Sequence, residues 1–151
     1  MIANTPAYVV DASVGIKLFV NEPLAEQAAA LFARLAATPP AQLFVPDLFF
    51  IECTNILWKY VHRSGYPPET ARANLSELNR LSLRGIPTSE LTAQALEIAV
   101  AQVITAYDAC YVALARDLGI PFITADEVLV RKLKNSPFDV RWLPELEDRP
   151  S

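Results

Sequence analysis

The sequence predicts an α/β domain in which a central, mainly parallel sheet is sandwiched between helices. Three observations predict it. Short apolar runs of strand length alternate along the chain with longer segments of helical periodicity. Strands separated by helices pair in parallel through right-handed crossovers. The 151 residues, 52% hydrophobic, suffice for one core, which sets a single domain over residues 1–144 and leaves 145–151 as a loose tail.

Residues 7–11 read as a buried strand, and Val14 to Val20, apolar except for Lys17, as a short helix after a tight turn. Pro23 sits where a helix starts. The Ala-rich stretch Leu24 to Ala37 carries Leu31, Phe32 and Leu35 at helical spacing and is ended by Thr38-Pro39-Pro40. Leu43-Phe44-Val45 is a second strand. Pro46-Asp47 opens a long helix to Arg63, closed by Ser64-Gly65, and Pro67-Pro68-Glu69 opens another to Leu81. Arg84 to Pro87 is a third strand. Ser89 to Val103 is helical through Leu91, Ala95, Leu96, Ala99 and Val100, and Thr105 begins a helix that stops near Gly119. Pro121 to Thr124 is a fourth strand, Glu127 to Lys134 a short helix, and Val140 to Leu143 the last strand.

Within this frame four carboxylates stand where solubility explains them poorly. Asp11 closes the first strand and Asp126 follows the fourth, so both fall at the carboxyl ends of parallel strands, where open α/β sheets bind ligands. Glu52 shares a helical side with Phe49, Cys53, Ile56 and Tyr60, and a core-facing Glu needs a partner. Asp108 lies in the first turn of a helix whose continuation, Ala109 to Ala115, is apolar nearly all round. Each has a plainer reading. Asp11 and Asp126 are competent helix N-caps, Thr105-Ala106-Tyr107-Asp108 has the spacing of a capping box, and Glu52 could be a boundary residue. Converging carboxylates raise one another's pKa values, and a divalent cation removes that penalty. Mg²⁺ and Mn²⁺ favour such oxygen clusters and activate water against phosphodiesters.

Neighbouring residues carry two readings each. Ser13 could fix Asp11, donate to a phosphate or cap the helix, and Asn55 could bond Glu52 or lie on a polar edge. Glu127 competes with Asp126 for any role. Arg131, Lys132 and Lys134 form the densest basic cluster, read as a solvated face or as phosphate contacts. Cys53 and Cys110 share no metal-ligand spacing and read as reduced core residues, with a redox pair as the alternative beside the acids. The single His62, near a helix end, reads as a surface residue.

The net charge of −4 argues against a broad basic nucleic-acid surface, although two divalent cations would bring the protein near neutrality. No apolar run approaches the roughly 20 residues needed to span a bilayer, and Met1 to Pro6 lacks the basic and apolar regions of a signal peptide. The expectation is a soluble, cytoplasmic protein with no membrane partner. With 4 glycines and neither a GxGxxG nor a P-loop after the first strand, a dinucleotide fold is excluded. A phosphatase with Asp11 as nucleophile would use Asp-x-Asp, and position 13 is Ser.

Four segments in order, Val9-Val10-Asp11-Ala12-Ser13-Val14, Phe50-Ile51-Glu52-Cys53-Thr54-Asn55, Thr105 to Ala115 and Ile123-Thr124-Ala125-Asp126, resemble the PIN-domain ribonucleases and among them the VapC toxins. The resemblance spans nearly the whole chain. It implies a three-layer α/β/α PIN-like domain and an endoribonuclease site dependent on Mg²⁺ or Mn²⁺. Asp11, Asp108 and Glu52 match the ligating acids, Asp126 the fourth and most variable one, and Ser13 and Thr124 the polar positions that support them. It also implies an RNA substrate, a homodimer and a VapB-like antitoxin. The rival is a PIN-like module that binds RNA or protein without turnover, a role that does not require four convergent carboxylates.

Overall fold

The computed structural model describes residues 5–146 of the chain. Its sheet has five strands, β1 (Ala7–Val10), β2 (Gln42–Pro46), β3 (Arg84–Ile86), β4 (Phe122–Thr124) and β5 (Val140–Trp142), in the order β3-β2-β1-β4-β5. Every pairing is parallel. In register, Tyr8 lies beside Leu43 and Val10 beside Ile123. The strands are short, and their centre is fully buried: Val9, Val10, Leu43, Val45, Phe122 and Ile123 lose all exposure. That burial on both sides is why they read as continuous apolar runs rather than alternating ones.

Among the described residues seven α-helices link the strands: α1 (Ala12–Gly15), α2 (Ala25–Ala33), α3 (Leu48–Ser64), α4 (Pro68–Arg80), α5 (Thr92–Gln102), α6 (Ala106–Leu118) and α7 (Glu127–Lys132). They flank the sheet as the three-layer α/β/α arrangement expected. Helix α6 crosses β1, β2 and β4 with α5 packed against it, while α3 packs on β2 and α1. The α6 run from Ala109 to Ala115 is wholly buried, as its uniform apolarity demands. Gly65 and Gly119 close α3 and α6 with φ of 67° and 66°, conformations that cost glycine nothing. Val103 closes α5 in the same region at φ 56°, where a β-branched residue is strained. The chain there turns 112° into α6.

The boundaries differ from expectation where local capping decides them. Strand β1 stops at Val10 because Asp11 caps α1, which therefore begins at Ala12 rather than Val14 and tightens into a 3-10 turn at Ile16–Leu18. Its Lys17 is paired with Glu22 at 2.9 Å. The helix expected to reach Ala37 ends its α-helical part at Ala33 and finishes as a 3-10 turn, Arg34–Ala36. The expected tail begins differently too: Glu145 ends a 3-10 turn, Leu143–Glu145, and Leu146 packs against the core. Residues 147–151, and the N-terminal Met1 to Asn4, lie outside the described residues. Among the described residues no single helix is long and apolar enough to cross a membrane.

Candidate active site

The strand order reverses direction at β1. From β1 the chain adds β2 and then β3 on one side, then passes over to place β4 and β5 on the other. The loops leaving β1 and β4 therefore diverge and open a crevice at their carboxyl ends, the switch point at which such sheets bind ligands. A cleft of about 170 Å³ lies there, lined by Asp11, Ala12, Ser13, Glu52, Ile56, Asp108, Tyr111 and Asp126. All four acids singled out in the sequence thus face one cavity, brought from the end of β1, the second turn of α3, the first turn of α6 and the start of α7.

Asp11 is the anchor. It is 6% exposed, and both its oxygens are held. Oδ1 accepts from the Ser13 hydroxyl at 2.5 Å and from the Val14 amide at 3.3 Å, while Oδ2 accepts from the Thr124 hydroxyl at 2.6 Å. Ser13 Oγ in turn accepts from the Ala125 amide at 3.1 Å, and Thr124 Oγ1 from the Asp126 amide at 3.1 Å. Of the readings of Ser13 the supporting one holds: Asp11 itself caps α1, and the Ser13 proton is spent on Asp11, not left for a phosphate. Burial pushes the Asp11 carboxyl up to about 7, against the pull of those hydroxyls, and the neighbouring charge of Asp108 pushes the same way.

Glu52 and Asp108 are half-buried, and burial raises both pKa values. Asp108 adds its charge to Glu52, and Asp126 adds its charge to Asp108. Mutual repulsion thus links the acids as expected, but desolvation is the larger cause. The Asp108 amide is capped by the Thr105 hydroxyl at 3.1 Å, so capping and cleft-lining coexist in one residue. Asp126 also does both, accepting from the Leu129 amide at 3.2 Å while lining the cleft.

The competitors separate. Glu127 pairs with Arg131 at 3.3 Å and lines no part of the cleft. Of the basic cluster, Lys132 bears on the site, its charge drawing the Asp108 pKa down. Asn55 is exposed and stands away from the cleft lining. Cys53 and Cys110 are buried free thiols whose pKa values are raised by burial, a setting for inert core cysteines rather than redox chemistry.

One residue of the cleft carried no functional signal in the sequence. Tyr111, 1% exposed on the buried helix α6, donates its hydroxyl to Glu52 Oε1 at 2.5 Å. Its ring stacks on Phe122 of β4, with centroids 5.5 Å apart and planes 11° from parallel. The only available signal was a phenol in an otherwise apolar run, which needs a buried partner.

Among the described residues, no three acid, imidazole or thiol side chains are drawn together tightly enough to hold an ion. The donor set nevertheless fits a hard divalent cation. It consists of oxygen ligands, three of its acids interact by charge with the fourth, Asp108, and no Lys or Arg among the described residues lines the cleft to neutralise them.

Comparison with known proteins points the same way. The PIN domain family matches residues 8–134. Ribonuclease VapC3 of Pyrobaculum aerophilum is 34% identical over 126 residues, spanning 82% of this chain and 92% of that protein. The crystal structure of PAE2754 from Pyrobaculum aerophilum superposes with a TM-score of 0.63 at 25% identity, covering 92% of each chain. A toxin-antitoxin complex from Klebsiella pneumoniae shares the fold, with a TM-score of 0.61 at 18% identity over 89% of this chain and 95% of that one.

Proposed function

This chain belongs to the PIN-domain family and is a homologue of the VapC ribonucleases, and from that premise we propose that it is a metal-dependent endoribonuclease, the toxin of a VapBC-type pair. One observation carries the reading: four carboxylates from four separate segments line a single cleft at the switch point of the sheet. A solvated surface has no use for that convergence, since like charges gathered without a counter-ion destabilise the fold.

Asp11, Glu52 and Asp108 would hold Mg²⁺ or Mn²⁺, with Asp126 holding a second ion or orienting water. When bound, such an ion supplies charge neutralisation at the phosphate and a water of lowered pKa. The rest falls to the chain. Ser13, Thr124 and the Val14 amide hold Asp11 in one orientation. Buried α6 fixes Asp108 to the same floor. Lys132, close enough to act on Asp108, offers a positive charge to the RNA backbone beside the cleft. Asp126 is the fourth acid in this reading, because Glu127 is engaged by Arg131.

Family membership also leads us to propose a VapB-like antitoxin as partner and a homodimer as the working form. Exposed apolar side chains on α5, Leu96 and Val100 one turn apart, and Val103 just past its end are consistent with a covered surface.

The test is incubation of the purified protein and its Asp108→Asn variant with cellular RNA, with Mg²⁺ or Mn²⁺ and then with chelator. The parent should give discrete fragments that chelator abolishes, and the variant should lose about a hundredfold or more in rate, roughly 3 kcal/mol of transition-state stabilisation. RNA binding without cleavage under either metal, by folded protein free of antitoxin, would replace the enzyme with a binding module.

A further inference from the structure

We infer that Tyr111 is a positioning residue, whose buried hydroxyl sets the orientation of Glu52 for metal binding. The inference rests on the reading of Glu52 as a ligand and adds the residue that prepares it. Glu52 stands on a half-exposed side of α3, where a Glu side chain has several rotamers open to it, and among the described residues no backbone amide donates to it. The observed restraint is the 2.5 Å hydrogen bond from Tyr111 to Oε1. That bond fixes one carboxylate oxygen and leaves Oε2 without a hydrogen-bond partner among the described residues, on a residue that lines the cleft.

Tyr111 is suited to hold rather than to react. Its ring is trapped against Phe122 and is 1% exposed, so the hydroxyl is placed by the sheet itself and not by a mobile side chain. Its hydroxyl is the donor in that bond, since the Glu52 carboxylate can only accept. The same strand that carries Thr124 to Asp11 carries Phe122 to Tyr111, so β4 sets two of the acids at once, one directly and one through a ring. A phenylalanine at 111 would keep the stacking and the volume while deleting the donor.

The decisive measurement is calorimetric titration of RNA-free protein with Mn²⁺, together with its thermal midpoint without metal. The set comprises the parent, Tyr111→Phe, Glu52→Gln and the double variant. Partners that orient a ligand are worth about tenfold to a hundredfold in metal affinity. Tyr111→Phe should weaken Mn²⁺ binding by about tenfold, and should cause no further loss once Glu52 is Gln. Unchanged or tighter binding in Tyr111→Phe overturns the inference, as does an equal loss in the Glu52→Gln background, which would make the tyrosine merely structural. A parent that binds no Mn²⁺ would instead sink the metal-dependent reading on which this one rests. Should Tyr111→Phe fail to fold, 3-fluorotyrosine at position 111 replaces it. Its fluorine resonance must then move on adding Mg²⁺ with Glu52 present and stay still with Glu52→Gln, and any other pattern overturns the role.

Discussion

Asp11 and Asp47 occupy equivalent places on neighbouring strands and behave oppositely. Each follows a parallel strand, β1 or β2, each stands at the N-cap of a helix, and each accepts a threonine hydroxyl at 2.6 Å. Asp47 also accepts the Thr88 amide at 2.9 Å. Yet the Asp47 carboxyl is held below the usual range by those Thr88 bonds, whereas Asp11 is pushed up to about 7 by burial. Donors alone therefore do not make a reactive acid. The difference is solvent: Asp47 is exposed, while Asp11 is sealed behind β1 and β4 with a second carboxylate nearby. Hydrogen bonding in the open ties an aspartate down as a carboxylate; burial beside other acids turns it into a candidate ligand.

The largest effect that would sharpen this contrast is the pH dependence of stability without metal. The folded Asp11 carboxyl titrates at about 7 against an ordinary 3.8, so between those values the folded state holds a proton that the unfolded state has released. Stability should fall as pH rises from about 4 to about 7 and then level off, by at most about 4 kcal/mol from this group. Denaturant melts across that range would check it. Asp11→Asn should flatten the slope, and a parent stability that rises through the window would contradict the burial argument. Asp47 has the opposite sign, its contribution being lost as pH falls through its lowered pKa.

A smaller effect compares the two threonines. Thr124→Val leaves Asp11 Oδ2 and the Asp126 amide without their partner in a fully buried place, and should cost about 1–3 kcal/mol and about tenfold or more in cleavage. Thr88→Val removes the hydroxyl that joins Asp47 to the Leu48 amide at the start of α3, in a more open place, and should cost about 1 kcal/mol and leave cleavage unchanged. Equal losses in the two variants, measured by melts and by RNA cleavage, would break the comparison. The smallest effect belongs to Asp47→Asn, expected within about 0.5 kcal/mol of the parent and fully active.

Much of this was legible in the sequence because the signals are local. Apolar run length marked the strands, Pro67-Pro68 and Gly65 marked helix ends, and the uniform apolarity of Ala109 to Ala115 marked α6 as buried. The acids were legible for the same reason, each being anomalous against its own neighbours. What escaped the sequence was pairwise and distant. No periodicity reveals that Tyr111 reaches Glu52 across 59 positions, or that Ser13 spends its proton on Asp11. The choice between Asp126 and Glu127 depended on which way the first turn of α7 points. Asn55 was ambiguous because one helical step separates a polar edge from a lining position. The 3-10 turns after α1 and α2 were missed because tightening a last turn leaves the hydrophobic spacing almost unchanged.

The hydrogen bond from Thr124 to Asp11 spans 113 positions in the chain. During synthesis the N-terminal part of a protein emerges and begins to fold first. Here, however, the central strand must wait for β4 to arrive beside it, because the sheet order seats the fourth strand against the first. The acid cleft therefore is not assembled on a nascent chain until residues up to Asp126 are available. Topology thus acts as a delay, keeping the cleft unassembled while only the strands before β4 have emerged.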